Sequence, residues 1–209
     1  MPIVRIARHA ETTWNAVGRY QGRIDAPLSP LGQAQAQALA RALREKNIGR
    51  IISSPLSRAV HTALPLSLVT NVPVETDPLL LEIAHGTWEG RYREEIAQTE
   101  PVLYWEWREH PERVAFPAGE SLGSVAERWN AFARGFRPHA DTLIVTHDVV
   151  VRLAILAQTG REQSGLRDVR ALNAAYARFQ VDGAQWRMQA DCVVDHLGGL
   201  AADAARQAL

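Results

Sequence analysis

Thr142-Leu143-Ile144-Val145-Thr146-His147-Asp148-Val149-Val150-Val151-Arg152 carries an apolar strand straight into an apolar helix. The strand covers Thr142 to Thr146, the helix runs from Val149 to Gln158, and Gly160 is its stop. Similar strand-like runs occur at Ile3 to Ala7, Arg50 to Ser53 and Val72 to Glu75. Ser29-Pro30-Leu31 reads as an N-cap with Pro at the first helical position. Leu31, Ala34, Ala38, Leu39, Ala42 and Leu43 then recur at helical spacing. Ser54-Pro55 gives a second cap-plus-proline signal before a helix through Thr62 and Leu66. Glu94 to Arg108 and Ser121 to Arg134 read as two more helices, rich in Trp. Ala174 to Val181 and Gln185 to Ala190, split by Asp182-Gly183, form a terminal hairpin. This alternation predicts an α/β three-layer sandwich, a mostly parallel central sheet with helices on both faces.

The 209 residues are 46% apolar and 22% charged, and 23 acidic side chains balance 23 basic ones. Zero net charge excludes attachment to nucleic acid through bulk positive charge, though not through a local patch. No run approaches the roughly 18 apolar residues of a membrane span. Met1-Pro2-Ile3-Val4-Arg5-Ile6 has no basic n-region, so a cytoplasmic protein is expected. Cys192 alone cannot build a disulfide framework or a cysteine-rich metal site. No H-E-x-x-H or paired ligand spacing accompanies the seven histidines, so neither metal nor other cofactor is expected. No repeat or linker marks a boundary, and residues 1–209 read as one domain.

Three strands end in polar residues: Arg8-His9, Ser54-Pro55-Leu56-Ser57-Arg58 and Thr146-His147-Asp148. Ligands of open α/β sheets bind beyond such carboxyl ends, so these residues are expected to share one crevice. Arg58 falls in the first turn of a helix, where the macrodipole disfavours a cation unless an anion joins it. A surface arginine is the plainer reading of Arg58 taken alone. A single histidine at His9 would more often be structural. Two histidines at two strand ends beside two arginines favour phosphoryl transfer, with imidazole as nucleophile and cations around the moving oxygens. Glu82 closes the apolar run Leu79-Leu80-Leu81, where a raised pKa would suit a proton donor; a solvent-facing Glu is the plainer alternative. The six tryptophans are expected to pack helices.

These stretches resemble the histidine phosphatase superfamily, which includes the cofactor-dependent phosphoglycerate mutases. The resemblance begins with Arg8-His9-Ala10-Glu11-Thr12-Thr13-Trp14-Asn15 and continues through Gly18-Arg19-Tyr20-Gln21-Gly22 and Asp25-Ala26-Pro27-Leu28-Ser29. Ser53 to Ala59 with Thr62-Ala63, then Glu82 with His85 to Gly90, then Thr146-His147 with Arg152 complete it in order. The resemblance implies His9 as nucleophile, Glu82 as acid, His147 as a further catalytic group, and Arg8, Arg58 and Asn15 on the phosphate. Ala10 stands where a Gly is usual, and Asp148-Val149 where Gly-Gly is usual. An acid beside phosphate would repel it, so Asp148 is expected to point away.

Glu82-Ile83-Ala84-His85-Gly86, the Gly18 to Gly22 run and His196-Leu197-Gly198 look closest to metal-independent phosphoserine phosphatases. That likeness implies Gln21, Gly22, His85 and His196 as substrate contacts, His85 meeting a carboxylate as donor or as imidazolium. Residues 195–209 would be a tail folding over the site; the alternative is a connector to a surface helix, Leu200 to Leu209. The implied function is hydrolysis of a small phosphomonoester, phosphoserine first, through phosphohistidine. A mutase, or a phosphatase for phosphoglycerate, a sugar phosphate or a ribazole-type phosphate, are alternatives. The intact Arg8, His9, Arg58, Glu82 and His147 set disfavours a non-catalytic phosphate-binding protein. The implied partner is a small phosphomonoester, with neither nucleic acid nor membrane, and a homodimer is left open.

Overall fold

In the computed structural model, which describes residues 1–201, strands β1 (Ile3–Arg8), β2 (Ile48–Ser53), β3 (Val74–Thr76) and β4 (Asp141–Thr146) form the parallel part of one sheet. The hairpin β5 (Tyr176–Asp182) and β6 (Gln185–Val193) adds antiparallel strands beside β1, giving the order β3-β2-β4-β1-β5-β6. Alternate residues of each strand face opposite layers. Ala7, Ile51, Leu143 and Val145 pack with Leu39 and Leu43 of α1 (Pro30–Leu43) and Leu66 of α2 (Ser57–Thr70). Ile6, Ile52 and Ile144 pack with Leu122 and Trp129 of α5 (Leu122–Gly135) and Leu153 of α6 (Asp148–Thr159). The sheet is thus covered on both faces, as the alternation requires. No helix among the described residues is long and apolar enough to cross a membrane.

Strand register positions the site. Arg8 lies opposite Thr146, and Ser53 opposite Val145. His9, Ser54 and His147, the next residues along, therefore leave the sheet side by side. The segment between β3 and α5 closes over this edge, carrying α3 (Arg93–Thr99) and α4 (Pro101–Glu109). Its arms cross so tightly that a Cβ on Gly86, at φ 56°, would fall 1.9 Å from the Pro117 carbonyl oxygen.

Local structure departs from the sequence reading in three places. The expected helix from Glu94 to Arg108 is two helices, parted at Glu100 (φ −134°, ψ 52°) because the ring of Pro101 disfavours helical geometry in the residue before it. α2 starts at Ser57 after Leu56, not at Ser54. Its first amides donate instead to the carboxylate of Asp25, Ser57 N–H to Oδ2 at 2.5 Å and Arg58 N–H to Oδ1 at 3.4 Å. The connector reaches the 3₁₀ turn Gly198–Leu200; the helix expected from Leu200 to Leu209 lies, beyond Ala201, outside the described residues.

α1 also anchors the loop that follows His9. Ser29 Oγ accepts from Gly32 N–H at 3.0 Å and donates to Glu11 Oε1 at 2.7 Å. Gln35 accepts from Glu11 N–H at 2.9 Å and donates to the Leu200 carbonyl at 2.8 Å. Ser29→Ala removes the cap and strands a buried carboxylate oxygen. It is expected to cost about 1–2 kcal/mol in urea unfolding, with the denaturant slope unchanged. An unshifted midpoint would contradict this anchoring.

Candidate active site

At the carboxyl edge of β1 and β4 lies a small cavity lined by side chains from several elements. Arg8, His9 and Asn15 come from β1 and the loop behind it, Arg58 from α2, Asp148 and Val149 from α6. Gln21 and Gly22 form one rim; Glu82, His85 and Trp107 come from the covering segment. His9 and Arg58, set 49 positions apart in sequence, thus face one space.

His9 is 3% exposed, and its backbone is tied on both sides. Its N–H donates to Thr146 O at 2.8 Å, while its carbonyl accepts from Asn173 Nδ2 at 2.9 Å. The ring Nδ1 lies 2.7 Å from the Ala10 carbonyl. A carbonyl can only accept, so Nδ1 carries the proton and Nε2 keeps its lone pair. Burial, then Arg58 and Arg8, hold the imidazole well below its ordinary pKa, so it is neutral at pH 7. This is the protonation state a nucleophile needs. His147 lies behind it, rings 5.2 Å apart, fully buried and outside the cavity wall. Its Nε2 meets Ser54 Oγ at 2.8 Å, and its Nδ1 has no partner among the described residues.

Arg8 and Arg58 are each 1% exposed. Arg58 donates to the carbonyls of Gly22 at 2.6 Å and Ile24 at 3.0 Å. Its Nε has no partner among the described residues. Arg8 donates to Ala171 O at 2.8 Å and pairs with Asp148 Oδ1 at 3.2 Å. Asp148 therefore faces the cavity, contrary to the sequence expectation. Its other oxygen is held by Arg152 Nε at 2.8 Å, one helical turn on, so two cations offset the anion. Burial alone would raise its carboxyl, but Arg152 and Arg8 outweigh that and hold it below its ordinary range.

Glu82 is 7% exposed, and burial, with Asp148 second, pushes its carboxyl up to about 7 against the Ile83 N–H, Arg58 and Arg8. It can hold a proton near neutrality. His85 is enclosed by Tyr20, Trp107 and Phe116, ring centroids 4.9 to 5.9 Å away. Burial, with Arg58 second, takes it down to about 3, so the ring is neutral while no substrate carboxylate faces it. Asn15 Oδ1 accepts from Thr12, leaving its NH₂ to offer, and Gln21 Oε1 likewise accepts from Thr12 Oγ1 at 2.9 Å. Gly22 has φ 52°, and a Cβ there would meet Glu89 Oε1 at 2.1 Å.

His196 lies elsewhere. Its Nε2 is 3.0 Å from the Ala174 carbonyl, its ring stacks on Tyr176, and it does not line the cavity. The following Leu197 packs with Ala10, Leu28 and Ala36. Asn173 goes unnoticed in sequence, and Trp107 reads there as helix packing rather than as a cavity wall. Ser54 and Arg152 stand in the quoted motifs, but not as partners of His147 and Asp148, although the i,i+4 spacing of Asp148 and Arg152 is a signal for the second pair. The whole arrangement can receive a dianion between two guanidiniums, attack it with a neutral imidazole, and protonate what leaves.

A family model described as "Histidine phosphatase superfamily (branch 1)" matches residues 4–192. Phosphoserine phosphatase 1 of Hydrogenobacter thermophilus is 36% identical over 180 residues, covering 85% of each chain. The structure of Bacillus stearothermophilus YhfR superposes with a TM-score of 0.89 at 28% identity, covering 94% of this chain and all of that one. A mycobacterial glucosyl-3-phosphoglycerate phosphatase in complex with VO3 gives a TM-score of 0.81 at 27% identity, covering 91% and 98%. The chain belongs to the histidine phosphatase superfamily, branch 1, and is a phosphatase.

Proposed function

We propose that this phosphatase transfers the phosphoryl group of a small phosphomonoester, foremost phosphoserine, to Nε2 of His9, without a metal ion. The observation that carries the reading is the hydrogen bond from His9 Nδ1 to the Ala10 carbonyl, which leaves Nε2 its lone pair in a ring that shares the cavity with two buried guanidiniums. Nε2 forms a bond to phosphorus as the ester P–O bond breaks. Glu82 gives its proton to the departing alkoxide. Water then attacks the phosphohistidine; Glu82, now a carboxylate, takes the water's proton, and inorganic phosphate leaves. Arg8, Arg58 and the NH₂ of Asn15 hold the phosphoryl oxygens, and the buried ring of His147, 5.2 Å from that of His9, backs the nucleophile.

Phosphoserine also presents a carboxylate and an ammonium. His85 offers a neutral N–H to the carboxylate, and the amide of Gln21 and the backbone at Gly22 line the same rim. The likeness to a phosphoserine phosphatase at 36% identity supports this choice. His196 acts from behind the wall, steadying Ala174, whose N–H reaches the carbonyls of Arg8 and His9.

A panel of phosphoserine, 3-phosphoglycerate, glucose 6-phosphate and p-nitrophenyl phosphate, run in EDTA, tests substrate and mechanism together. Phosphate release with the highest kcat/KM on phosphoserine is expected. Isomerisation without phosphate release would make the chain a mutase, and preference for a sugar phosphate would overturn the phosphoserine reading.

Glu82→Gln tests the acid. On phosphoserine it should lose on the order of 10²–10⁴ in rate, with a far smaller loss on p-nitrophenyl phosphate, whose leaving group needs no proton. Because the acid works only while protonated, wild-type kcat/KM on phosphoserine should fall as pH rises past about 7. Glu82→Gln should abolish that alkaline limb. Equal losses on both leaving groups would make Glu82 a structural support.

A further inference from the structure

Asp148 is an anion in the wall of a cavity built for anions, a placement that needs a reason. Its two oxygens are divided between cations from different elements, Arg8 of β1 at 3.2 Å and Arg152 of α6 at 2.8 Å. Arg152 is itself fixed by the carbonyls of Leu166, at 3.2 Å, and Val169. The chain from the 166–169 turn through Arg152 and Asp148 to Arg8 is therefore continuous and buried. Asp148 is 4% exposed, so water screens the pairs little.

We propose that Asp148 is a positioning residue for phosphoryl transfer: its carboxylate aims the Arg8 guanidinium and supplies the negative charge against which the Glu82 acid is set. The inference rests on the acid role given to Glu82 above. Three charged side chains face Glu82 around the cavity: Arg8 from β1, Arg58 from α2 and Asp148 from α6. Arg128 of α5 meets its backbone carbonyl at 3.4 Å. The rings of His9, His85 and His147 are held neutral. Burial does most to keep the proton on Glu82, while the Ile83 N–H, Arg58 and Arg8 favour its loss. Asp148 opposes them, and because Arg8 and Arg152 hold it, the phosphate dianion meets a neutralised carboxylate. A plain helix-start residue would need neither partner.

The test follows the alkaline limb of kcat/KM for phosphoserine in Asp148→Asn and Asp148→Glu, with folding checked by circular dichroism. Asp148→Asn removes the charge and keeps the shape, and the limb is expected to move down by about one pH unit or more, a loss of about tenfold above it. Asp148→Glu keeps the charge but displaces Arg8, so the limb is expected to stay put while kcat falls. A limb unmoved in Asp148→Asn, or moved equally in both variants, overturns the proposal. Should Asp148→Asn fail to fold, Asp148→Ser removes the same charge and carries the same expectation. A limb that survives in Glu82→Gln removes the acid reading and this proposal with it. A limb that vanishes there and stays put in Asp148→Asn overturns this proposal alone.

Discussion

Arg8 and Arg58 sit at the floor of one cavity with 1% of their surface exposed, and a buried guanidinium has a desolvation penalty of several kcal/mol. Much of the surrounding chain is arranged to offset it. The loop after His9 turns its carbonyls at Gly22 and Ile24 toward Arg58, and Ala171 turns its own toward Arg8. Burial still lowers both arginines from their ordinary values, which shows that the compensation is partial. What remains is a preorganised positive potential in a buried cavity, suited to the phosphate dianion of the proposed reaction.

The same burial sets the other groups. It strips the proton from His9, keeps one on Glu82 near pH 7, and makes His85 a neutral ring. Neutral base and protonated acid thus coexist at one pH, because desolvation moves cationic and anionic acids in opposite directions. Asp148 belongs to this balance as the counter-charge between Arg8 and Arg152.

Sheet, layers and strand ends were readable because their signals are local. Pro30 behind Ser29, the apolar run into His147 and the Gly160 stop each need only neighbouring residues, and all appear in the structure. The break at Glu100 was also written locally, in Pro101, but helical periodicity on both sides masked it. The rest depends on residues distant in sequence. Asp25 caps α2 from 32 positions away, and the ring that neutralises His85 comes from Tyr20, Trp107 and Phe116. The direction of Asp148 is set jointly by a strand residue and a helix residue, which no single motif displays.

The proposed chemistry turns on Nε2 of His9, freed by the Nδ1 bond to Ala10, as the atom that takes the phosphoryl group. Rapid acid-free quenching of the enzyme during turnover of ³²P-labelled phosphoserine, followed by peptide mass spectrometry, locates that group. An alkali-stable, acid-labile phosphoryl group is expected on Nε2 of His9 and absent in His9→Ala, which should retain its fold and lose nearly all turnover. Label on another residue, or sustained turnover by His9→Ala, would rule His9 out as the nucleophile.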